Sequence, residues 1–385
     1  MNTHPVKKQF DWKNVGFFGI TAVLAVVGLP LYLWKHDLTA GDWVIAIFMA
    51  LATMMATTFG HHRLFAHKAF QVPGWIKFLN LFFGAAAWEG SALNWASEHR
   101  DHHRFVDTPK DPYNIKQGFF HAHMGWFIFE RPQSDYSNAK DLSSDPMIKN
   151  QHDYWTLWAV GAGMVMPLAL GLMFGSFWGT FFLGVSARLF VVNHCVFLIN
   201  SAAHTFGKQT YDLSCTARDS WVCAFLTHGE GYHSFHHRFP SDYRNGVRWY
   251  HWDPTKWTVR LLSYVGLATN VKRTEESQIL AARTLVEKEL ADRRMEQFRL
   301  HLQQHPQLAQ AVKQMDEFYA RLRETLQQWE LRAGEYRRMC ANWAEHSREI
   351  IEAKSEEVKA ARAKFFAERR EWLEMIAANA RPAIA

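Results

Sequence analysis

Cysteine is scarce in this chain: Cys195, Cys215, Cys223 and Cys340 are all there is, and no two stand in a C-x-x-C pair. No iron–sulfur cysteine set can be assembled from them, and free thiols in a reducing compartment are the expectation. A His-Pro-Gly-Gly haem module and a dinucleotide fingerprint are also missing, so no electron carrier is built into the chain. Charge is absent over three long stretches: residues 15–34, 43–60 and 155–187 contain no Asp, Glu, Lys or Arg. Two ordinary soluble domains would not distribute 48% hydrophobic content in this way.

A bilayer core is crossed by about 20 apolar residues of helix. The first two runs each fit one crossing, near 15–34 and 43–60. The third is too long for one and breaks at Gly175-Ser176, giving crossings near 155–174 and 177–203. A fourth apolar patch, 75–88, is interrupted by Lys77 and Asn80 and reads as a helix at the membrane surface. Lys7, Lys8 and Lys13 precede the first run, but no small-x-small cleavage site follows it, so an uncleaved helix is expected.

The connections 35–42 and 175–176 are short hairpin loops with little positive charge. Lys7, Lys8, Lys68, Arg100, Arg104, Lys110 and Arg238 lie on the other side. The positive-inside tendency then predicts a cytoplasmic or inner membrane protein with the middle segment and both termini in the cytosol. The net charge of +6 is a topology and headgroup signal, with membrane lipid rather than nucleic acid as the contact. The expected fold class is all-α integral membrane: a cytosolic terminus over 1–14, then a membrane domain over 15–270. Within it, four transmembrane helices in two hairpins carry a cytosolic helical cap.

Histidine is abundant, 21 in all, and clustered. The clusters are His61-His62-Arg63-Leu64-Phe65-Ala66-His67, His99-Arg100-Asp101-His102-His103 and Gly229-Glu230-Gly231-Tyr232-His233-Ser234-Phe235-His236-His237. The second and third share the spacing His-x-x-His-His. On a helix, positions i, i+3 and i+4 lie on one face, so each aims three imidazoles at one point, and neutral imidazole binds iron, zinc and copper well. Two identical boxes and a third cluster on one side of the membrane are not a surface accident.

These boxes, with Asn200-Ser201-Ala202-Ala203-His204, the stretch from Asp107 to Asn114, and His123-Met124-Gly125-Trp126, resemble the acyl-CoA desaturase family of membrane fatty acyl desaturases over about residues 15–270. The resemblance implies two iron ions held by His62, His67, His99, His102, His103, His204, His233, His236 and His237, with Asn200 bound through water. It assigns His62, His67, His99, His103 and His236 to one iron and His102, His204, His233 and His237 to the other. His61 and His121 match no ligand position and are candidates to orient a ligand. Removing hydrogen from an unactivated methylene needs an oxidant stronger than any side chain, and iron with dioxygen as co-substrate supplies it. The implied activity is insertion of a cis double bond, usually at Δ9, into a long-chain saturated acyl group in a kinked apolar tunnel. Phe59, Trp88 and Trp95 are candidates to line it.

The departures concern the head group. An Arg-Asp pair that contacts CoA in the animal enzymes is Ser97-Glu98 here, and a later Arg-Lys pair is Glu130-Arg131. Phosphate wants Arg or Lys and is repelled by carboxylate. Acyl-CoA therefore leads only narrowly over an acyl group in a membrane lipid or on acyl carrier protein. Electrons must come from a separate ferredoxin or haem protein with its reductase. A membrane hydroxylase shares the boxes and differs in whether oxygen rebounds onto carbon. A membrane metal carrier is the non-enzymatic rival, although carriers place polar groups near the midplane rather than at helix ends.

Residues 271–385 form a charged helical tail outside the resemblance. Met315, Tyr319, Leu322, Leu326, Trp329, Ala333, Tyr336, Cys340 and Trp343 alternate spacings of four and three. That is a heptad stripe, which predicts a coiled coil or antiparallel helical hairpin serving self-association or donor docking. The alternative is an amphipathic helix packed on the catalytic body.

Overall fold

The computed structural model describes residues 9–130, 134–297, 306–343 and 346–379. Among them the regular structure is helical, with isolated bridges and no extended strand. The chain divides into two compact units, Met1–Arg273 and Thr274–Ala385.

Four helices of the first unit are long and apolar enough to cross a membrane: α1 (Trp12–Leu33), α2 (Ala40–Ala66), α5 (Trp155–Phe174) and α6 (Phe177–His204). These are the crossings the uncharged runs predict. Four such helices make this a multi-pass membrane protein. The apolar core of α1 is only 6% buried, against 56% for those of α2 and α6, so α2 and α6 form the inner pair. Ile20, Val23, Leu31, Val44 and Leu172 stay exposed on the crossings. Such a surface suits lipid, where helix contacts gain nothing from excluding water.

Asp42 joins the two hairpins. It caps α2 in a reciprocal pair with Thr39, and it also accepts from Ser176 N (2.9 Å), Ser176 Oγ (3.3 Å) and Thr180 Oγ1 (2.8 Å). A fully buried carboxylate is tolerated here because every bond it makes comes from a donor. Between the hairpins, α3 (Gly74–Ala85) packs on α2 and α4 (Ala92–Phe105) starts from the N-cap Ser91. The 75–88 patch thus begins as a helix and ends as the irregular turn before α4.

Each crossing contains a π-helical segment: Leu24–Gly28, Ala56–Ala66, Gly161–Val165 and Thr180–Ala187. Such i→i+5 turns are rare and concentrate at functional sites.

In the second unit α8 (Glu276–Gln297), α9 (Pro306–Ala341) and α10 (Arg348–Asn379) form a helical bundle. Trp329 meets Phe365 (5.7 Å between centroids) and Tyr319 meets Trp372 (5.8 Å), so α9 and α10 run antiparallel. The stripe of Met315, Leu322, Leu326 and Trp329 is buried against Ala361, Phe365 and Trp372 of the same chain. The antiparallel hairpin is what the stripe becomes. It covers these residues internally and removes them as a surface for association; Cys340 and Trp343, at the end of the stripe, are exposed.

Candidate metal centre

Four elements deliver the histidines. The π-helical end of α2 carries His62 and His67. Five residues apart, they would diverge on an α-helix, but the i→i+5 bond from His67 N to His62 O (3.1 Å) turns both to one side. α4 presents His99, His102 and His103 from one face, as their spacing predicts. α6 ends in a tight turn that brings His204 inward below Asn200. The short helix α7 (His233–Arg238) presents His233, His236 and His237. The segment entering α7 is tightly threaded: Gly229 sits at φ +102°, and a Cβ on Gly231 would lie 2.1 Å from Ala224 N.

The nitrogens converge in two groups: His62, His67, His99, His103 and His236, and His102, His204, His233 and His237. In the first, Nε2 atoms are 2.9 Å apart for His62–His236 and His67–His99, 3.1 Å for His99–His103 and 2.8 Å for His103–His236. In the second, His204–His233 and His233–His237 are 3.1 and 3.0 Å apart. One Nε2 offers either a proton or a lone pair, not both. His99 Nε2 has two such neighbours and His236 Nε2 two, which hydrogen bonding alone does not satisfy. A metal–imidazole bond of about 2.1 Å gives right-angle N–N edges of about 3.0 Å, so the spacing fits a shared cation.

The outward nitrogens of three rings face acceptors. His62 Nδ1 lies 2.8 Å from Glu230 Oε2, and His102 Nδ1 2.7 Å from Asp111 Oδ1. His204 Nδ1 lies 2.8 Å from Thr216 Oγ1, which itself donates to Asp107 Oδ1. A proton kept on Nδ1 leaves the Nε2 lone pair facing the centre. Burial, reinforced by neighbouring imidazoles, pushes His67, His99, His103, His236 and His237 well below their usual range, and His233 to about 3. They are neutral, as ligation requires.

Behind His62 lies a buried ion network. Arg63 donates to Glu230 Oε1 (3.0 Å), Asp253 Oδ2 (3.1 Å) and Tyr243 O (2.8 Å). Burial would raise Glu230, but its contact with His62 Nδ1 and the Arg63 guanidinium override it and hold the carboxyl low. Asp253 is likewise held low against its burial by Arg63.

A narrow cavity reaches the centre at His62, His99 and Asn200, with Thr57, Thr58 and Trp95 among its walls. Trp95 stacks on His99 (4.9 Å, 21°). Phe59 does not line it, being core packed on Phe70, and Trp88 packs instead on Phe17 and Trp155. His61 is fully buried beside Gly84, and neither ring nitrogen has a hydrogen-bonded partner among the described residues. His121 lines an outer cleft. Sequence reasoning gave no role to Asp107, Asp111, Thr216, Glu230 or Asp253. The signal was there for three of them: Asp107, Asp111 and Glu230 stand in the conspicuous stretches around the second and third boxes.

Residues 41–268 match the family model described as fatty acid desaturase. The chain is 36% identical over 279 residues to the probable acyl-CoA desaturase of Schizosaccharomyces pombe, covering 71% of this chain and 58% of that one. It is 36% identical over 282 residues to acyl-CoA desaturase 1 of Saccharomyces cerevisiae, covering 71% and 54%. With the sn-1 stearoyl-lipid 9-desaturase of Anabaena variabilis it shares 34% identity over 274 residues, 71% of this chain and 97% of that protein. The chain therefore spans little more than half the length of the two yeast relatives.

Proposed function

The chain belongs to the fatty acid desaturase family, and on that footing we propose that it is an oxygen-dependent oxidoreductase placing a cis double bond, at Δ9, in a long-chain saturated acyl group. One observation carries the reading: nine imidazole nitrogens from four separate elements meet in two groups beside a narrow cavity. His62, His67, His99, His103 and His236 hold one iron, and His102, His204, His233 and His237 the other, with Asn200 linked through water. The two irons, when bound, supply the oxidising power that removes two hydrogens from adjacent methylenes as dioxygen goes to water. The protein's own contribution is position and exclusion of water. Glu230, Asp111 and the Thr216–Asp107 pair fix ring orientation, and Trp95 walls the acyl path next to His99. A separate ferredoxin or haem protein with its reductase supplies electrons from the cytosolic side of the inner membrane, where both termini also lie.

Expression in an unsaturated-fatty-acid auxotroph, with double bonds mapped by mass spectrometry, tests this. Rescue with a Δ9 cis product is expected. A hydroxylated product of matching chain length would instead assign the same site to hydroxylation, and loss of rescue with metal bound would favour a carrier.

A specific observation favours a membrane lipid over CoA as the carrier of the acyl group. A cleft of about 650 Å³ is lined by Glu98, Asp101, Asp111, Glu130 and Asp135, with Lys110 and His121 the basic side chains among its described lining. It shares Trp126 with the metal-facing cavity, which supports reading it as the mouth where an acyl head would emerge. Ser97 cannot serve phosphate, because it is fully buried with its hydroxyl on Ser134 and Asn138. A mouth of this charge repels a polyphosphate carrier and tolerates an uncharged ester. Purified enzyme should act faster on acyl-lipid than on acyl-CoA, and Glu130→Arg with Asp135→Arg should narrow the gap. Equal turnover on both carriers in the unaltered enzyme would remove the charge argument.

A further inference from the structure

The crossing α6 contains an arginine, Arg188, that is 3% exposed. An ionised side chain at membrane depth is expensive and marks a functional position by default. All three of its hydrogen bonds go to main-chain carbonyls: Nε to Gly184 O (3.2 Å), Nη1 to Ala86 O (2.5 Å) and Nη2 to Gly163 O (2.9 Å). Those carbonyls have something in common. Gly163 and Gly184 lie in the π-helical segments of α5 and α6, where the regular ladder is broken. Ala86 is the C-cap of α3, the negative end of that helix. One guanidinium therefore joins three elements through carbonyls their helices leave available.

The consequence appears just past Ala86. The turn into α4 runs through Trp88 at φ +60° and Gly90 at φ +94°, a left-handed conformation that a bulky side chain adopts only when its surroundings hold it. The Trp88 ring stacks on Phe17 (5.3 Å, 14°) and lies so close to α5 that a Cβ on Gly163 would come within 2.5 Å of Nε1. The next residue, Glu89, lines the metal-facing cavity and accepts a hydrogen bond from Trp95 Nε1 (3.2 Å). Trp95 in turn stacks on His99. The wall of the acyl path is thus fixed from beneath by Arg188 and Trp88.

A methylene chain offers no polar group by which to register it. The carbons that stand beside the metals are chosen by the walls alone, and one carbon–carbon bond spans only roughly 1.5 Å. We propose that Arg188 is a positioning residue for regiochemistry, holding the Ala86–Ala87–Trp88–Glu89 turn so that one pair of carbons is presented to the metal centre. This rests on the desaturase reading above.

The test compares Arg188→Lys, which keeps the charge but loses two of the three bonds, with Gly163→Ala, which displaces Trp88 from a different helix. Each is expressed in the auxotroph, double bonds are located by mass spectrometry, and iron per chain is measured on purified protein. Both should retain iron and raise the share of a neighbouring positional isomer about tenfold, the ratio that a barrier difference of about 1.4 kcal/mol produces. An isomer ratio equal to that of the unaltered enzyme in both variants overturns the proposal, even if yield falls. If Arg188→Lys does not accumulate, Gly163→Ala alone decides by the same ratio. An unaltered enzyme that makes no double bond defeats the desaturase reading itself, which is a distinct result.

Discussion

Glu230→Gln is a change of one atom, and the structure says it should be severe. Glu230 is 1% exposed, and its hydrogen-bonding partners are all donors. Oε1 accepts from Arg63 Nη2 (3.0 Å), while Oε2 accepts from Asn245 Nδ2 (2.5 Å) and faces His62 Nδ1 (2.8 Å). A glutamine must turn its NH2 either toward Arg63 or toward Asn245 and His62, so donor meets donor in both orientations. Arg63 also loses one of its two carboxylates. Breaking a buried ion pair costs about 3–5 kcal/mol. Asp253 remains on Arg63 at 2.9 Å, which places the cost at the lower end, about 3 kcal/mol or a factor of roughly 150. Separately, His62 loses the acceptor that fixes its tautomer, and loss of such a partner weakens metal binding about 10- to 100-fold. Thermal unfolding of the metal-free protein in detergent reads the first effect, and iron retention against a graded chelator reads the second. His62→Ala is the control: it should lose iron yet keep most of the stability, because Arg63 stays paired. If Glu230→Gln melts with the unaltered protein and holds iron as tightly, the reasoning about this network is refuted.

His102→Ala and His236→Ala, one from each group, should each abolish desaturation and lower iron per chain while the protein still inserts, as membrane fractionation would report. Metal-free protein should lose stability as pH falls. The buried imidazoles have folded pKa values below their unfolded value of about 6.5, so the unfolded state takes up protons first, and each contributes a loss of up to about 1.4 kcal/mol per pH unit below that point. A melting temperature unchanged between pH 7.5 and 5.5, two values bracketing the unfolded histidine range, would contradict the burial of these rings. Trp329→Glu should open the tail bundle, costing about 3–5 kcal/mol for a lost core aromatic, and limited proteolysis should then cut within residues 306–379. Deleting the residues after Thr274 should leave iron content and insertion intact and lower turnover with the natural electron donor; loss of iron instead would make the tail a brace for the metal domain.

The crossings were readable because a bilayer demands a long uncharged run, and such runs are local. The second and third boxes were readable for a related reason: a separation of three and four residues is one face of an α-helix, and α4 and α7 are α-helical there. His62 and His67 are another matter. Their separation of five makes sense only once α2 ends in a π-helical segment, and no periodicity in residues 56–66 announces that. The tail shows the same division. The stripe correctly marks a buried face, but a stripe does not name its partner. That partner, α10, lies some 40 residues on, as the 43-residue separation of Thr325 and Glu368 illustrates. Phe59 and Trp88 were reasonable tunnel candidates as large aromatics near the boxes. Which face of a turn an aromatic occupies is decided by tertiary packing.

The residues that sequence reasoning missed share a chemistry. A shell of neutral imidazoles does nothing to offset the charge of the ions it binds, and the ions' own charge dominates a buried site. The compensating carboxylates stand one bond further out: Asp111 behind His102, Glu230 behind His62, and Asp107 behind His204 through Thr216. They orient the rings and supply negative charge without competing for the metal. Yet Glu230 is also tied to Arg63, so that the charge behind His62 is partly spent whether or not metal is bound. Asp111 has no such cation among the described residues and is held instead by the main-chain N–H groups of Asp107 and Tyr113 (both 3.0 Å). The first group is thereby backed by two carboxylates that share one arginine, and the second by carboxylates without a described cation beside them. Metal should therefore stabilise the His102 group more than the His62 group, and the two ions should leave in that order: first from the group centred on His62, then from the one centred on His102.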